Sequence, residues 1–145
     1  MEWIDEIIIG LLDTYDTSCP YKLCDLLGIE IVKVEKNAYI LLKNSSIYIR
    51  DYFGRETIFI RNDLAEEDES FYIRHELGHA ILHPDIRKSY NPRLINKFKL
   101  ERQANYFAMK LLNFELDSIS FEGFTIEQIA SSLSLPAKCL KNFYP

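Results

Sequence analysis

The sequence predicts one α+β domain, a small and mostly antiparallel sheet packed with helices. Three observations predict it. Apolar residues recur at helical spacing at the start of the chain and again beyond residue 63. Between residues 29 and 61 the pattern changes to short runs of β-branched and aromatic residues. No repeat, low-complexity tract or linker divides the 145 residues, of which 48% are hydrophobic and 27% charged, the balance of one ordinary domain with a sizeable core.

Trp3, Ile4, Ile7, Ile8, Leu11 and Leu12 step at helical spacing and outline a first amphipathic helix. A short second helix is expected from about Pro20 to Leu27, because proline suits a first turn and Gly28 supplies the left-handed residue that ends one. Three or four strands follow, within residues 29–34, 38–42, 46–52 and 57–61. Their connections look too short for crossovers, hence the antiparallel expectation. The acidic run Glu66, Glu67, Asp68 and Glu69 marks the start of a central helix of roughly Glu67 to His83, and Pro84 stops it. Asn91-Pro92 reads as loop, Leu94 to Leu112 as a longer helix, and Phe121 to Phe143 as a helical hairpin.

Composition excludes several roles. Seventeen Lys and Arg against twenty-two Asp and Glu give a net charge of -5, which argues against general binding to a phosphate backbone. The longest apolar run, Ile7 to Leu12, is far too short for a membrane span, and no targeting segment is visible. Cys19, Cys24 and Cys139 are odd in number and irregular in spacing. Partly buried thiols in a reducing cytoplasm are therefore expected, not a disulfide framework or a zinc knuckle.

The chemistry is concentrated in His75-Glu76-Leu77-Gly78-His79. On a helix, residues four apart share a face, so two imidazoles converge on one metal while the adjacent Glu76 points to its open position. The bland alternative is a pair of capped histidines and an exposed glutamate. Against it, all three histidines of the chain, 75, 79 and 83, lie on one face of a helix whose flanking residues are apolar. His83 stands about 12 Å along the axis from His75, too far to share its ion.

The third ligand should come from the next helix. Leu94, Phe98, Glu101, Asn105, Ala108 and Leu112 form a stripe that is apolar except at Glu101 and Asn105. A carboxylate on a core-facing stripe needs a cation, and Zn²⁺ held by His75 and His79 would supply one. Asn105, one turn on, would orient a ligand imidazole. The competing roles for Glu101 are a salt bridge to Arg74 or Lys97, or exposure to solvent. Glu76 is the expected general base.

A ligand glutamate on a later helix resembles the gluzincin arrangement, so the expected architecture is zincin-like. More narrowly, Phe71-Tyr72-Ile73-Arg74-His75-Glu76-Leu77-Gly78-His79-Ala80-Ile81-Leu82-His83-Pro84, followed by Leu100-Glu101-Arg102-Gln103-Ala104-Asn105-Tyr106-Phe107-Ala108, resembles the ImmA/IrrE family of zinc metallopeptidases. Two departures stand out: Asn113-Phe114 where members often have Met-Pro, and Gln103 where many have a second Glu. The resemblance implies a protein substrate, a helix-turn-helix repressor encoded beside the peptidase on a phage or mobile element.

Two roles stay open in the sequence. An oxyanion donor is expected, and Tyr72, Arg74, Tyr90 and Tyr106 are equal candidates. In the tail, Thr125-Ile126-Glu127-Gln128 fits a capping box, and residues 121–143 look like half of a helix-turn-helix. Packing on the core or docking a protein suits this tail better than DNA binding, because its last helix offers only Lys138, Lys141 and Asn142 to a groove. The rival to a peptidase is a regulator that binds a repressor or DNA through this tail without hydrolysis.

Overall fold

The computed structural model describes residues 1–91 and 96–116, together with 125, 127 and 128. Helix α1, Glu2–Tyr15, buries Ile4 and Ile8 and leaves Trp3 nearly half exposed, so its apolar face is narrower than the sequence suggests. Helix α2 spans Pro20–Leu27, with Pro20 in the first turn and Gly28 in the left-handed conformation at its end (φ 76°). Strands β1, Glu30–Val34, β2, Ser46–Tyr52, and β3, Arg55–Arg61, form one sheet in the order β1-β3-β2.

That sheet is mixed, and this corrects the antiparallel expectation. Strands β2 and β3 make an antiparallel hairpin through Phe53-Gly54, but β1 pairs parallel to β3 in the register Glu30 to Thr57 through Val34 to Arg61. The fourth expected strand, 38–42, is instead a 3-10 turn at Tyr39–Leu41. The chain must cross the sheet to pass from one side of β3 to the other, and this segment makes the crossing. It plugs the outer face of the sheet with Leu41, packed on Ile47, Ile49 and Phe59. The opposite face, with Tyr48, Ile58 and Ile60, packs on the helices.

Helix α3, Glu66–Leu82, is central, with eleven of its seventeen residues buried, among them Arg74, His75, Glu76 and His79. Four acidic residues occupy its first turn, where the helix dipole favours them. Its other end is closed by Arg50 of β2, whose Nη2 donates to the carbonyls of Ala80 (3.3 Å) and His83 (2.8 Å) and whose Nε donates to that of Ile86 (2.8 Å). Cationic donors suit orphan carbonyls at a helix C-terminus. Arg50 therefore locks β2 to the end of α3.

Helix α4, Lys97–Leu116, packs along α3 through Ala104, Phe107, Ala108 and Leu111. The expected stripe is corrected here: Phe98 is 88% exposed, Leu94 lies outside the described residues, and Glu101 and Asn105 stand at the flank of the buried face. In the tail, Thr125 and Gln128 form the reciprocal capping bonds, Gln128 N to Thr125 Oγ1 at 3.1 Å and Thr125 N to Gln128 Oε1 at 2.9 Å. The rest of the expected hairpin at 121–143 lies outside the described residues. Among those described, no helix is long and apolar enough to cross a membrane.

Candidate metal centre

His75 and His79 project from one face of α3, their ring centroids 4.8 Å apart. Both are buried, so the nitrogens of each ring need partners. His75 Nδ1 lies 2.7 Å from Asn105 Oδ1, and His79 Nδ1 lies 3.0 Å from His83 Nδ1. Both Nε2 atoms turn to one carboxylate: His75 to Glu101 Oε2 at 3.2 Å, His79 to Glu101 Oε1 at 2.9 Å.

The hydrogen bonds behind the rings decide where the protons sit. An amide oxygen only accepts, so His75 carries a proton on Nδ1 and turns Nε2 to Glu101, donating to the carboxylate when Nε2 is protonated and offering a lone pair when a metal ion takes the proton's place. Gln103 Oε1 lies 2.7 Å from His83 Nε2 and takes that proton, which makes His83 Nδ1 an acceptor. His79 then donates from Nδ1 and likewise turns Nε2 to Glu101. Burial, reinforced by the neighbouring His79, holds His83 below the ordinary imidazole range and so keeps it neutral for this role.

Two imidazole nitrogens and a carboxylate turned on one point call for positive charge among them, carried by protons on Nε2 or by a metal ion. Burial alone would raise the Glu101 carboxyl, but hydrogen bonds from His75 and His79 hold it well below the usual range. Burial likewise opposes a charge on His75, yet Glu101 and Glu76 raise it. The pocket therefore attracts a cation. The ligand atoms of His75, His79 and Glu101 all lie within 4.8 Å of one another, and this group could hold a metal ion. Tetrahedral ligands bonded at about 2.0–2.1 Å stand about 3.3 Å apart, close to the two contacts with Glu101. Two imidazoles and one carboxylate match a catalytic zinc set with a position left open.

Glu76 lies beside this group and is buried. Its Oε2 accepts a hydrogen bond from the Ser46 hydroxyl at 2.7 Å, while its Oε1 has no hydrogen-bond partner among the described residues. The open side is a cleft of about 400 Å³ whose walls include Ser46, Tyr72, His75, Glu76, Tyr90 and Glu101. Of the four oxyanion candidates, Tyr72 and Tyr90 line this cleft. Arg74 is buried outside it, and the Tyr106 hydroxyl donates to Asp5 Oδ1 at 2.9 Å, tying α4 to α1. Sequence reasoning missed Ser46, thirty residues from its partner, for which no local signal exists. It considered His83 only as a ligand and Gln103 only as an absent competitor, although the four-residue spacing from His79 to His83 hinted at a relay.

A helix carrying two histidines and a glutamate, closed by a second helix with Glu-x-Gln-Ala-Asn, defines a class. Residues 24–136 match the family model Peptidase_M78, the IrrE N-terminal-like domain, and the chain belongs to that family. Among its relatives, Metallopeptidase ImmA of Bacillus subtilis (strain 168) is 33% identical over 136 residues, covering 88% of this chain and 76% of the relative. Uncharacterized immunity region protein 2 of Bacillus phage phi105 is 30% identical over 145 residues, 92% of this chain and 89% of the relative. No solved structure gives a significant match.

Proposed function

We propose that the protein is a zinc-dependent endopeptidase in which His75, His79 and Glu101 hold the ion, Glu76 is the general base, and Asn105 orients His75. The observation that carries this reading is the convergence of both Nε2 atoms and the Glu101 carboxylate on one point, beside a Glu76 oxygen that has no hydrogen-bond partner among the described residues. Zinc, when bound, polarises the scissile carbonyl and makes water acidic. Glu76 takes the proton of the attacking water at Oε1 and later delivers it to the leaving amine. Ser46 holds Oε2 and so prevents the carboxylate from rotating away. Asn105 and the His83–Gln103 pair keep the ligand rings in the tautomer that binds metal. Tyr72 and Tyr90 are the remaining candidates for steadying the oxyanion.

The substrate in this reading is a helix-turn-helix repressor encoded beside the peptidase on a phage or mobile element, cleaved in the cytoplasm to relieve repression. The metallopeptidase name of one relative and the phage immunity-region name of the other support it. Segment 121–143, part of the same domain, is the proposed docking surface. To test the reading, the protein is co-expressed with the neighbouring repressor and fragments are followed by mass spectrometry, with Glu76→Gln as control. The variant should keep its fold and zinc and lose cleavage, because an amide keeps the shape but takes no proton. Equal cleavage by both forms rules out Glu76 as the base. Glu101→Ala should strip zinc by elemental analysis; full occupancy would place the third ligand elsewhere.

A further inference from the structure

Beside the metal cleft, and sharing Lys43 and Tyr90 with it, runs a second groove of about 810 Å³. The crossing segment between β1 and β2 builds one wall with Lys36, Tyr39, Leu42 and Lys43, and the end of β3 contributes Arg61. Among the described residues three cations and no carboxylate line this groove, in a chain whose net charge is -5. A fourth cation, Lys97, lies over the Tyr90 ring at 4.3 Å, where the two clefts meet. Arg61 is paired with Asp63 at 2.7 Å, whereas Lys36 and Lys43 are exposed and form no ion pair among the described residues.

The backbone supplies an independent observation. Leu42 and Lys43 both have positive φ, 51° and 67°, a conformation that suits glycine and strains a bulky side chain. The Asn44 amide clamps this turn, donating to the carbonyls of Leu41 (3.0 Å) and Leu42 (3.4 Å). Glycine would relax the turn and remove two side chains from the groove. The chain instead carries there one apolar side chain and one cation, both lining the groove next to the proposed catalytic cleft.

We propose that this groove is the subsite that selects substrate, and that it takes an acidic, leucine-bearing extended segment flanking the scissile bond. The proposal rests on the peptidase reading. Lys36 and Lys43 receive the carboxylates, and Tyr39, Leu42 and Tyr90 receive the apolar side chains. A polypeptide suits the groove better than nucleic acid, since the cations are few and spaced by apolar surface, and since the groove opens into a peptidase cleft.

The test measures binding, with Glu76→Gln protein, zinc-loaded, as the non-cleaving form. Three fluorescein-labelled fourteen-residue Ser/Gly peptides carry two leucines and four Glu, four Gln or four Lys; a labelled single-stranded DNA of fourteen nucleotides is the fourth probe. By anisotropy the Glu peptide should bind about tenfold tighter than the Gln peptide in 50 mM NaCl, from about two- to fivefold per exposed pair, and most of that margin should vanish at about 300 mM. Adding Lys36→Glu and Lys43→Glu should abolish or reverse the preference, while Lys22→Glu on α2 leaves it intact. Equal binding of the three peptides, binding by none, a preference unmoved by the two substitutions, or tighter lysine-dependent binding of the DNA would each overturn the proposal. Hydrolysis is scored separately with unsubstituted protein on its repressor: loss of that activity alone defeats the peptidase reading, and loss of the charge preference alone defeats the groove.

Discussion

Gly78 sits where α3 and α4 press together, two residues from Glu76 and beside His79. A Cβ at this position would meet Phe107 at 3.1 Å from Cδ1 and 3.2 Å from both Cβ and Cγ. Ordinary carbon contacts lie at about 3.5–4.0 Å, so Phe107 would have to retreat by about half an ångström. It is fully buried in the main core and has nowhere to go without moving α4. Overpacking of this kind costs about 1–3 kcal/mol, and alanine returns about 1 kcal/mol over glycine inside a helix. Gly78→Ala should therefore destabilise the protein by about 1 kcal/mol net. Because Glu101 rides on α4, the same shift should lengthen its contacts with His75 and His79 and weaken metal binding.

The assay is a double-mutant cycle by urea denaturation of the metal-free protein, with zinc affinity measured by chelator competition. In a Phe107→Ala background Cγ and Cδ1 are gone and only the 3.2 Å contact with Cβ remains, beside space into which it can relax, so Gly78→Ala should become stabilising by up to about 1 kcal/mol, the propensity gain. The sign reversal, a coupling of about 2 kcal/mol, is the signature of a clash. If Gly78→Ala stabilises the unsubstituted protein, or has the same effect in both backgrounds, the glycine is not there to admit Phe107.

Three further outcomes follow from the site and core. Ser46→Ala should lower kcat about tenfold or more with little change in KM, because a hydrogen bond to a charged group is worth about 1.5–3 kcal/mol, and Ser46→Thr should restore much of the loss; a change in KM alone would refute the positioning role. Gln103→Leu should weaken zinc affinity about tenfold or more by freeing the His83 tautomer, and chelator competition showing no change would remove His83 and Gln103 from the metal's support. Cys24 is fully buried, and burial, with Cys19 nearby, pushes its thiol up to about 12; at pH 8 iodoacetamide should label Cys19 and spare Cys24 until the protein unfolds, and equal labelling by peptide mass spectrometry would contradict the packing.

The boundaries of α2 and α3 were legible because their signals are local, whereas α4, expected at Leu94 to Leu112, runs Lys97–Leu116. The Pro20 and Gly28 punctuation matches α2, and the acidic first turn and Pro84 bracket α3 to within a residue. Strand pairing was not. Residues 38–42 have a strand's composition, and counting them as a strand left no chain for a crossover, which forced the antiparallel conclusion. Once that segment is the crossover, residues 35–45 are free to carry the chain across β3, and β1 can run parallel to it. One misassigned segment therefore reversed the orientation of a strand.

The site divides along the same line. His75, Glu76 and His79 were readable because a helix fixes their relation within five residues. Glu101 is singled out by a stripe whose first described member, Phe98, is exposed, so periodicity is its weaker signal; the stronger is chemical, a carboxylate on α4 that needs a cationic partner, and the fold brings it to both histidines. Ser46 and the Lys36–Lys43 wall follow from topology alone. The crossing segment that sequence reading mistook for a strand carries the chain over the outer sheet face and delivers Lys43 to both clefts and Ser46 to Glu76. The element that defeats the pattern rules is thus the one that joins the proposed base to the proposed selecting groove, so substitutions in residues 36–46 should separate selectivity from chemistry: Lys36 and Lys43 should move KM, and Ser46 should move kcat.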